Sequence, residues 1–406
     1  MRVIGTSVRR KIAAIAAASA VSAAPLGLVA VFGSGVGHDR DTIGTFPAVE
    51  NMNECAENIL YIAGPEQETT VSAVSAIPVP EAEPEQSVEP EEVTVPDINY
   101  RLTLNMNDTS EDLSVYTVHS GKVAEEHFGR GNGPEYISLP GGGQVRNCTD
   151  IPAEDVEYES TVASGLSVGQ YSDEPQILIM HTHTSESYEP YDKDWYDASY
   201  TSRSLSPDNS VVAVGEAIAE QLAGAGISVI HDCTVYDVPY TGAYTRSLDS
   251  VVGLLSEYPS IKAVFDVHRD AIEYADGTRV SAVSEINGRK AAQFMMICAA
   301  DDGNYDVPDF IDNFHFACEI QQEAEKLYPT LTRPVLFQYC QYNQQVSKGA
   351  LLIEVGSHGN SIDQAVYTGE LIGKTLVSLF TGKAPAEPEA VPTLARVPLY
   401  FLDRIV

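Results

Sequence analysis

The chain contains the stretch Ile177-Leu178-Ile179-Met180-His181-Thr182-His183-Thr184-Ser185-Glu186, in which an apolar run stops at two histidines and a glutamate. A short, continuously apolar run is typical of a parallel strand that is buried on both faces. In an α/β sheet, the carboxyl end of such a strand is where ligands and substrates bind. Imidazole nitrogens and a carboxylate are ligands suited to zinc. The stretch therefore predicts a metallohydrolase built on a parallel sheet.

Strand-like and helix-like segments alternate after residue 171. Continuous apolar runs indicate buried strands, whereas apolar residues three and four positions apart indicate amphipathic helices. The predicted strands are 176–180, 227–230, 262–267, 292–299, 335–339 and 351–355, and the predicted helices are 210–222, 246–258, 312–327 and 361–380. This alternation predicts an α/β fold, a three-layer αβα domain with a mainly parallel central sheet, as the catalytic domain at residues 171–383.

Residues 98–170 carry shorter strand patterns. An alternating pattern at 100–104 predicts one strand, and two more, at 136–139 and 145–147, flank a glycine turn. These strands form either an accessory N-terminal subdomain or the first edge of the catalytic domain.

The first 33 residues have the pattern of a membrane anchor. Basic residues precede an apolar run from Ile12 to about Phe32, which is closer to the about 20 residues of a membrane span than to the roughly 7–15 of a cleaved signal. We expect a single-pass transmembrane helix in the cell membrane, with its basic end in the cytoplasm. The alternative is cleavage after Ala18-Ser19-Ala20, and both interpretations place the rest of the chain outside the cytoplasm.

Two further segments lack the apolar content of a folded domain. Residues 34–97 become rich in proline and glutamate, which predicts a disordered acidic linker between the anchor and the folded part. Residues 384–406 form a C-terminal tail with a similar Pro, Ala and Glu composition at its start.

The charge and the cysteine spacing argue against nucleic-acid binding and against a cysteine-type zinc site. The chain has 406 residues with 24 Lys and Arg against 58 Asp and Glu, a formal net charge of −34. A chain this acidic does not bind nucleic acid by neutralising phosphates. None of its six cysteines form a C-x-x-C pair, so a structural zinc site of the cysteine type is not expected.

Two later strands also end in polar residues that could carry chemistry. Val264-Phe265-Asp266-Val267-His268-Arg269-Asp270 ends one strand, and Leu351-Leu352-Ile353-Glu354-Val355 ends another. Parallel strands present their carboxyl ends on one edge, so these groups can meet the histidines of the first stretch. Together they would supply two or three nitrogen and oxygen ligands for a zinc ion, which needs three, and a separate carboxylate that moves protons.

Each of these residues also has a structural interpretation. His181 and His183 could hydrogen-bond the backbone, Glu186 could cap a turn, and Asp266 could orient a neighbouring group. Glu354 could form a purely structural ion pair with Arg269.

Several motifs, taken in order, resemble the stage II sporulation protein P family of peptidoglycan hydrolases. The matching segments are His181–Tyr188, Thr241–Ser247, Tyr258–Lys262, Asp266–Ala271 and Leu352–Gly356, with Asn147 and Thr149 ahead of them. The resemblance covers about residues 138–380.

The resemblance implies a zinc-dependent N-acetylmuramoyl-L-alanine amidase, which cleaves the bond between muramic acid and L-alanine during sporulation engulfment. It implies Zn²⁺ ligands at His181, Glu186 and His268, with His183 as the alternative histidine, and Glu354 as the catalytic acid–base. Arg269 or Arg246 would bind a carboxylate of the stem peptide.

The family also implies partners and further activity. The substrate would be the stem peptide and glycan of peptidoglycan, and the partners would be the stage II sporulation proteins D and M. Cleavage of peptide cross-links is a possible additional activity. Two other functions fit the same sequence: a catalytically degenerate module that binds or scaffolds at the cell wall, and a zinc peptidase.

Overall fold

The computed structural model of the protein describes residues 101–104 and 111–383. The predicted anchor (1–33), linker (34–97) and C-terminal tail (384–406) lie outside the described residues. Within the described part, no helix is both long enough and apolar enough to cross a membrane.

A nine-stranded sheet forms the centre of the fold. The strands of the structure are, in chain order, β1 Arg101–Leu104, β2 Gly121–Glu126, β3 Tyr136–Ser138, β4 Gln144–Asn147, β5 Ile177–Met180, β6 Trp195–Tyr196, β7 Val229–Cys233, β8 Ala263–Asp270, β9 Arg279–Ile286, β10 Arg289–Ala292, β11 Phe294–Ala300, β12 Val335–Tyr339 and β13 Ala350–Ser357. The large sheet has the order β1-β7-β5-β8-β13-β11-β12-β4-β3. Its neighbouring strands run parallel except at the pairs β13/β11 and β4/β3, so the prediction of a mainly parallel sheet is confirmed.

Helices cover both faces of this sheet. They are α1 Ala153–Glu159, α2 Val211–Gly224, α3 Ala243–Glu257, α4 Phe310–Leu327 and α5 Ile362–Thr381. Successive side chains of a strand point to opposite faces. Ile177 and Ile179 of β5 pack into the core that contains α2, α4 and α5. Leu178 and Met180 pack into a second core with Val251 of α3. The predicted α/β fold is therefore confirmed.

Serine side chains fix the starts of two long helices. The Ser210 hydroxyl accepts a hydrogen bond from the N–H of Val212 at the start of α2. Ser361 and Gln364 form a reciprocal capping box at the start of α5. Such caps satisfy backbone N–H groups that have no partner inside the helix, which explains why the predicted starts lie within a residue of the observed ones.

Strands from residues 98–170 complete both edges of the large sheet. β1 pairs with β7 at one edge, and the antiparallel pair β3/β4 extends the other edge beyond β12. The predicted strands thus form, and they lie in the same sheet as β5.

A smaller four-stranded sheet, with the order β10-β9-β2-β6, was not predicted. Strand β2 has the sequence Gly-Lys-Val-Ala-Glu-Glu, whose low strand propensity is overridden by pairing with β9, over 150 residues away. The hairpin β9/β10 turns at Asn287-Gly288, where both residues have positive φ. This dipeptide is a recognised hairpin signal. The connection from β8 to β11 contains the hairpin β9/β10 and lacks the helical crossover that joins parallel strands. Strand β11 accordingly runs antiparallel to β13, which is parallel to β8.

Close contact between α2 and α5 depends on glycine. A Cβ at Gly369 would lie 2.7 Å from the carbonyl oxygen of Val214 and 3.0 Å from the Cβ of Ala217. At Gly253, on α3, a Cβ would meet nothing within 4 Å.

We expect Gly369→Ala to lower the free energy of unfolding by about 1–3 kcal/mol, because the helices must separate. Gly253→Ala should instead raise it by up to about 1 kcal/mol through helix propensity. Urea denaturation of both variants measures the difference, and equal effects would contradict this packing.

Candidate active site

A cavity of about 370 Å³ opens where β5, β8 and β13 present their polar residues. These strands are neighbours in the sheet, with Met180 beside Asp266 and Glu354 beside His268 in register. The residues around the cavity include His183, Glu186, Arg203, His268, Arg269 and Glu354. The structure thus brings the three polar strand ends of the sequence to one place.

His183 is the least satisfied polar side chain of the cavity. It is 3% exposed, and neither ring nitrogen has a hydrogen-bond partner in the described part of the chain. Its ring stacks on Tyr240, with 4.5 Å between centroids, and lies edge-on to His268 at 5.4 Å. Burial disfavours the charged ring and lowers the pKa of His183 to about 4. His183 is therefore a neutral imidazole at neutral pH, with a free lone pair that could bind a metal.

Glu186 and His268 form a buried pair beside it. Nδ1 of His268 lies 3.3 Å from Oε2 of Glu186, and the backbone N–H of Arg269 donates to the same oxygen at 3.2 Å. Burial opposes ionisation of Glu186, but His268 and Arg269 outweigh it and hold the pKa of Glu186 well below its usual range. Glu186 is therefore an anion in the cavity wall.

Asp266 holds His268 from the other side. Its Oδ1 lies 2.9 Å from Nε2 of His268, within ion-pair distance, although the two atoms do not form a hydrogen bond. The backbone N–H and the hydroxyl of Thr182 donate to Asp266 at 2.8 and 2.7 Å. Burial disfavours a charged His268 ring, but Asp266 and Glu186 outweigh it and raise the pKa of His268 well above its usual value. The ring of His268 thus lies between two carboxylates that favour its charged form.

Glu354 faces this pair from β13. Its Oε2 is buried and has no hydrogen-bond partner among the described residues. Burial, together with the nearby charge of Asp270, raises the pKa of Glu354 to about 8. A carboxyl group with a pKa near the working pH can both take up and release a proton.

His181 lies apart from these groups. Its Nδ1–H donates to the carbonyl oxygen of Val267 at 2.9 Å, and its Nε2 lies 2.9 Å from Nε2 of His231. His231 Nδ1 in turn lies 2.9 Å from Glu216. Helix α2 can approach this pair because position 215 is glycine, where a Cβ would come within 2.6 Å of His231. Both nitrogens of His181 are thus engaged away from the cavity, and His183 takes its place beside Glu186 and His268.

The guanidinium of Arg269, which the sequence suggested as a substrate contact, bonds to backbone in the structure. It donates to the carbonyl oxygens of Ser187 at 3.0 Å, Asp270 at 3.3 Å and Ser202 at 2.9 Å. Only 7% of the residue is exposed. Arg269 therefore ties the loop after β5 to β8.

Arg246, the second arginine expected to bind substrate, lies away from the cavity lining. Its Nε donates to the carbonyl oxygen of Tyr236 at 2.7 Å, and Nη1 donates to that of Thr241 at 3.2 Å. A further bond reaches the carbonyl oxygen of Pro239. These bonds fix the loop that leads into α3.

The side chains of Arg203, Tyr240 and Tyr244 also line the cavity but were not assigned a role from the sequence. Tyr244 belongs to the Thr241–Ser247 motif on which the family resemblance rests, which was the available signal. Arg203 lies in a loop segment without periodicity, and nothing in the sequence distinguished it.

No three His, Cys, Asp or Glu side chains within residues 111–383 are arranged as a ready metal site. The donors nevertheless fit zinc in chemical type, since His183 and His268 supply nitrogen and Glu186 supplies oxygen. The buried ring of His183, without a hydrogen-bond partner among the described residues, is the observation that favours metal binding there.

Substitution of Arg269 is expected to lower the stability of the fold, whereas substitution of Arg203 is expected to change it little. Arg269→Lys should lower the free energy of unfolding by about 2–4 kcal/mol, because a lysine cannot serve three separated carbonyl groups. Arg203→Lys is the matched control. Its side chain is 34% exposed, and we expect a change below about 1 kcal/mol. Chemical denaturation followed by circular dichroism checks both, and a tolerated Arg269→Lys would contradict the structural role.

Comparison with known proteins agrees with the motifs. The family model for stage II sporulation protein P (SpoIIP) matches residues 67–377. A curated relative, stage II sporulation protein P of Bacillus subtilis (strain 168), is 26% identical over 204 residues, which cover 47% of this chain and 48% of the relative. The chain thus spans about half the length of the curated relative it matches.

Two of the solved structures that resemble this chain are N-acetylmuramoyl-L-alanine amidases. An N-acetylmuramoyl-L-alanine amidase of Nostoc punctiforme is 11% identical with a TM-score of 0.32, over 52% of this chain and 97% of that one. An N-acetylmuramoyl-L-alanine amidase from Clostridium difficile 630 is 15% identical with a TM-score of 0.31, over 52% and 97%. These scores are too low to add to the argument. The family match spans most of the chain, and the chain belongs to the stage II sporulation protein P family.

Proposed function

We propose that this chain is a zinc-dependent peptidoglycan amidase of sporulation, which hydrolyses the amide between N-acetylmuramic acid and L-alanine of the stem peptide. The observation that carries the proposal is the cavity in which an unpartnered neutral histidine, His183, lies with Glu186, His268 and Glu354. Two findings support the proposal: membership of the stage II sporulation protein P family, and the set of side chains that line the cavity.

Zinc would be held by His183, Glu186 and His268. Three protein ligands with an open fourth position are the usual set for a catalytic zinc ion. When bound, the ion would supply Lewis-acid polarisation of the scissile carbonyl and a more acidic water. This assignment chooses His183 over His181, because the nitrogens of His181 are occupied by Val267 and His231.

Glu354 is the proposed proton carrier. Its Oε2 is buried at the cavity without a partner among the described residues, so in its ionised form the carboxylate can accept a proton from the attacking water. The same carboxyl then delivers the proton to the nitrogen of the departing alanine. Asp266 lies 2.9 Å from Nε2 of His268 and attracts the ring by charge, on the side where metal-binding histidines commonly have a carboxylate neighbour.

The sequence also suggests where the enzyme is located and which proteins it works with. The predicted N-terminal helix would anchor the enzyme in the cell membrane with its catalytic domain outside. The stage II sporulation proteins D and M would be its partners, and peptide cross-links would be a second type of substrate.

Metal binding should depend on His183 and not on His181. We expect the purified chain to hold one zinc ion, His183→Ala to lose at least about tenfold in zinc affinity, and His181→Ala to keep the ion. Plasma mass spectrometry after dialysis measures the metal content. Loss of zinc from His181→Ala alone would show that the other histidine is the ligand. A wild-type chain that holds no metal would favour the degenerate cell-wall binding module.

Glu354→Gln should separate proton transfer from metal binding. The amide keeps the shape of the side chain but cannot carry the proton, so we expect kcat to fall by about 10²- to 10⁴-fold with unchanged zinc content. The assay is release of stem peptides from purified peptidoglycan, with products identified by mass spectrometry. Retained activity would contradict the role of Glu354. Products cut only within cross-links would instead identify a peptidase.

A further inference from the structure

We infer that Arg203 is the specificity residue of the cavity, and that it binds a free carboxylate on the residue that follows the alanine of the stem peptide. This inference rests on the proposed function. It assigns to Arg203 the substrate contact that the sequence suggested for Arg269 or Arg246, and it names the group of the substrate that is recognised.

Three other arginines near the cavity hold groups of the protein itself. Arg269 donates to three backbone carbonyl groups, and Arg246 holds the loop before α3. Arg279 donates through Nη1 to Glu189 at 2.9 Å and to Ser202 at 3.2 Å. These three side chains therefore fix the protein itself.

Arg203 differs in exposure and in the number of its bonds. Its side chain is 34% exposed, against 12% for Arg279. Nη1 donates to Asp237 at 3.2 Å, whereas Nη2 lies 3.6 Å from Oε1 of Glu186, beyond hydrogen-bond distance. A guanidinium has five N–H donors. Arg203 thus keeps donors that a substrate carboxylate can use.

An aromatic ring and an ion pair hold the guanidinium in position. The Arg203 side chain lies over the ring of Tyr240, 5.2 Å from its centroid, and Tyr240 stacks on His183. Asp237 also accepts hydrogen bonds from the backbone N–H and hydroxyl of Ser185. A preorganised guanidinium binds a planar carboxylate with less loss of entropy than a free side chain.

The position of Arg203 relative to Glu186 limits which residue of the stem peptide it can contact. Nη2 of Arg203 lies 3.6 Å from Glu186, one of the proposed zinc ligands, so it is close to the bond that would be cut. One residue of an extended peptide spans about 3.3–3.6 Å. The alanine carboxyl is itself in a peptide bond, so the first free carboxylate along the stem is on the next residue, D-glutamate, whose α-carboxyl group is either free or amidated. Because the chain has a net charge of −34, a local cation is needed for any anionic substrate.

The test compares two muropeptides, disaccharide tripeptides whose D-glutamate α-carboxyl is free or amidated. We expect the wild-type chain to prefer the free acid by about tenfold or more in kcat/KM, as for a charge-assisted hydrogen bond. Arg203→Met should abolish this preference, Arg203→Lys should keep part of it, and Arg246→Met should leave it at the wild-type value. Each ratio is measured on one preparation, so a partly unfolded variant does not distort it.

A wild-type chain without preference, or an Arg203→Met variant that keeps it, would overturn the inference while leaving the proposed function intact. If sacculi are digested but the short muropeptides are not, binding of the same pair to Glu354→Gln by calorimetry gives the same ratios with the same expectations. A chain that releases no stems from sacculi would overturn the proposed function itself, and the role of Arg203 with it.

Discussion

Strand β8 lies between β5 and β13, and this pairing is the constraint on which the candidate site depends. It places His268 in register with Glu354 and within 3.3 Å of Glu186, although the three residues are far apart in the chain. Helices on both faces keep water away from these strands, so the charges must neutralise one another. The opposed pKa values of Glu186, which is lowered, and Glu354, which is raised, follow from that arrangement. Two carboxylates in one cavity are thereby suited to different tasks.

The sequence predicted the framework because apolar runs and helical spacing are local signals. Strands β5, β8, β12 and β13 and the four long helices form close to their predicted bounds, with Ser210 and Ser361 as caps. The small sheet was missed, since β2 and β9 gain their strand structure from a partner far away in the chain. The Asn287-Gly288 turn was a local signal that could have indicated its hairpin.

The candidate site was predictable in its members more than in its geometry. The strand ends named segments that the fold brings to one cavity, but His181 and His183 are equivalent by residue type and differ by only two positions. What separates them is tertiary: His231 and Val267 engage both nitrogens of His181, whereas His183 stacks on Tyr240 without a hydrogen-bond partner in the described residues. The arginines also differ only in tertiary structure, because burial and bonds to backbone carbonyl groups determine which guanidinium can contact a substrate. Neither property can be read from local sequence.

We propose that His183, Glu186 and His268 together hold a zinc ion next to Glu354. The most direct measurement is a crystal structure of the zinc-loaded chain with anomalous diffraction recorded at the zinc absorption edge. The account predicts one peak, about 2.0–2.1 Å from a ring nitrogen of His183 and of His268 and about 2.0–2.2 Å from an oxygen of Glu186. A peak on the His181–His231 pair, or none in the cavity, would contradict it.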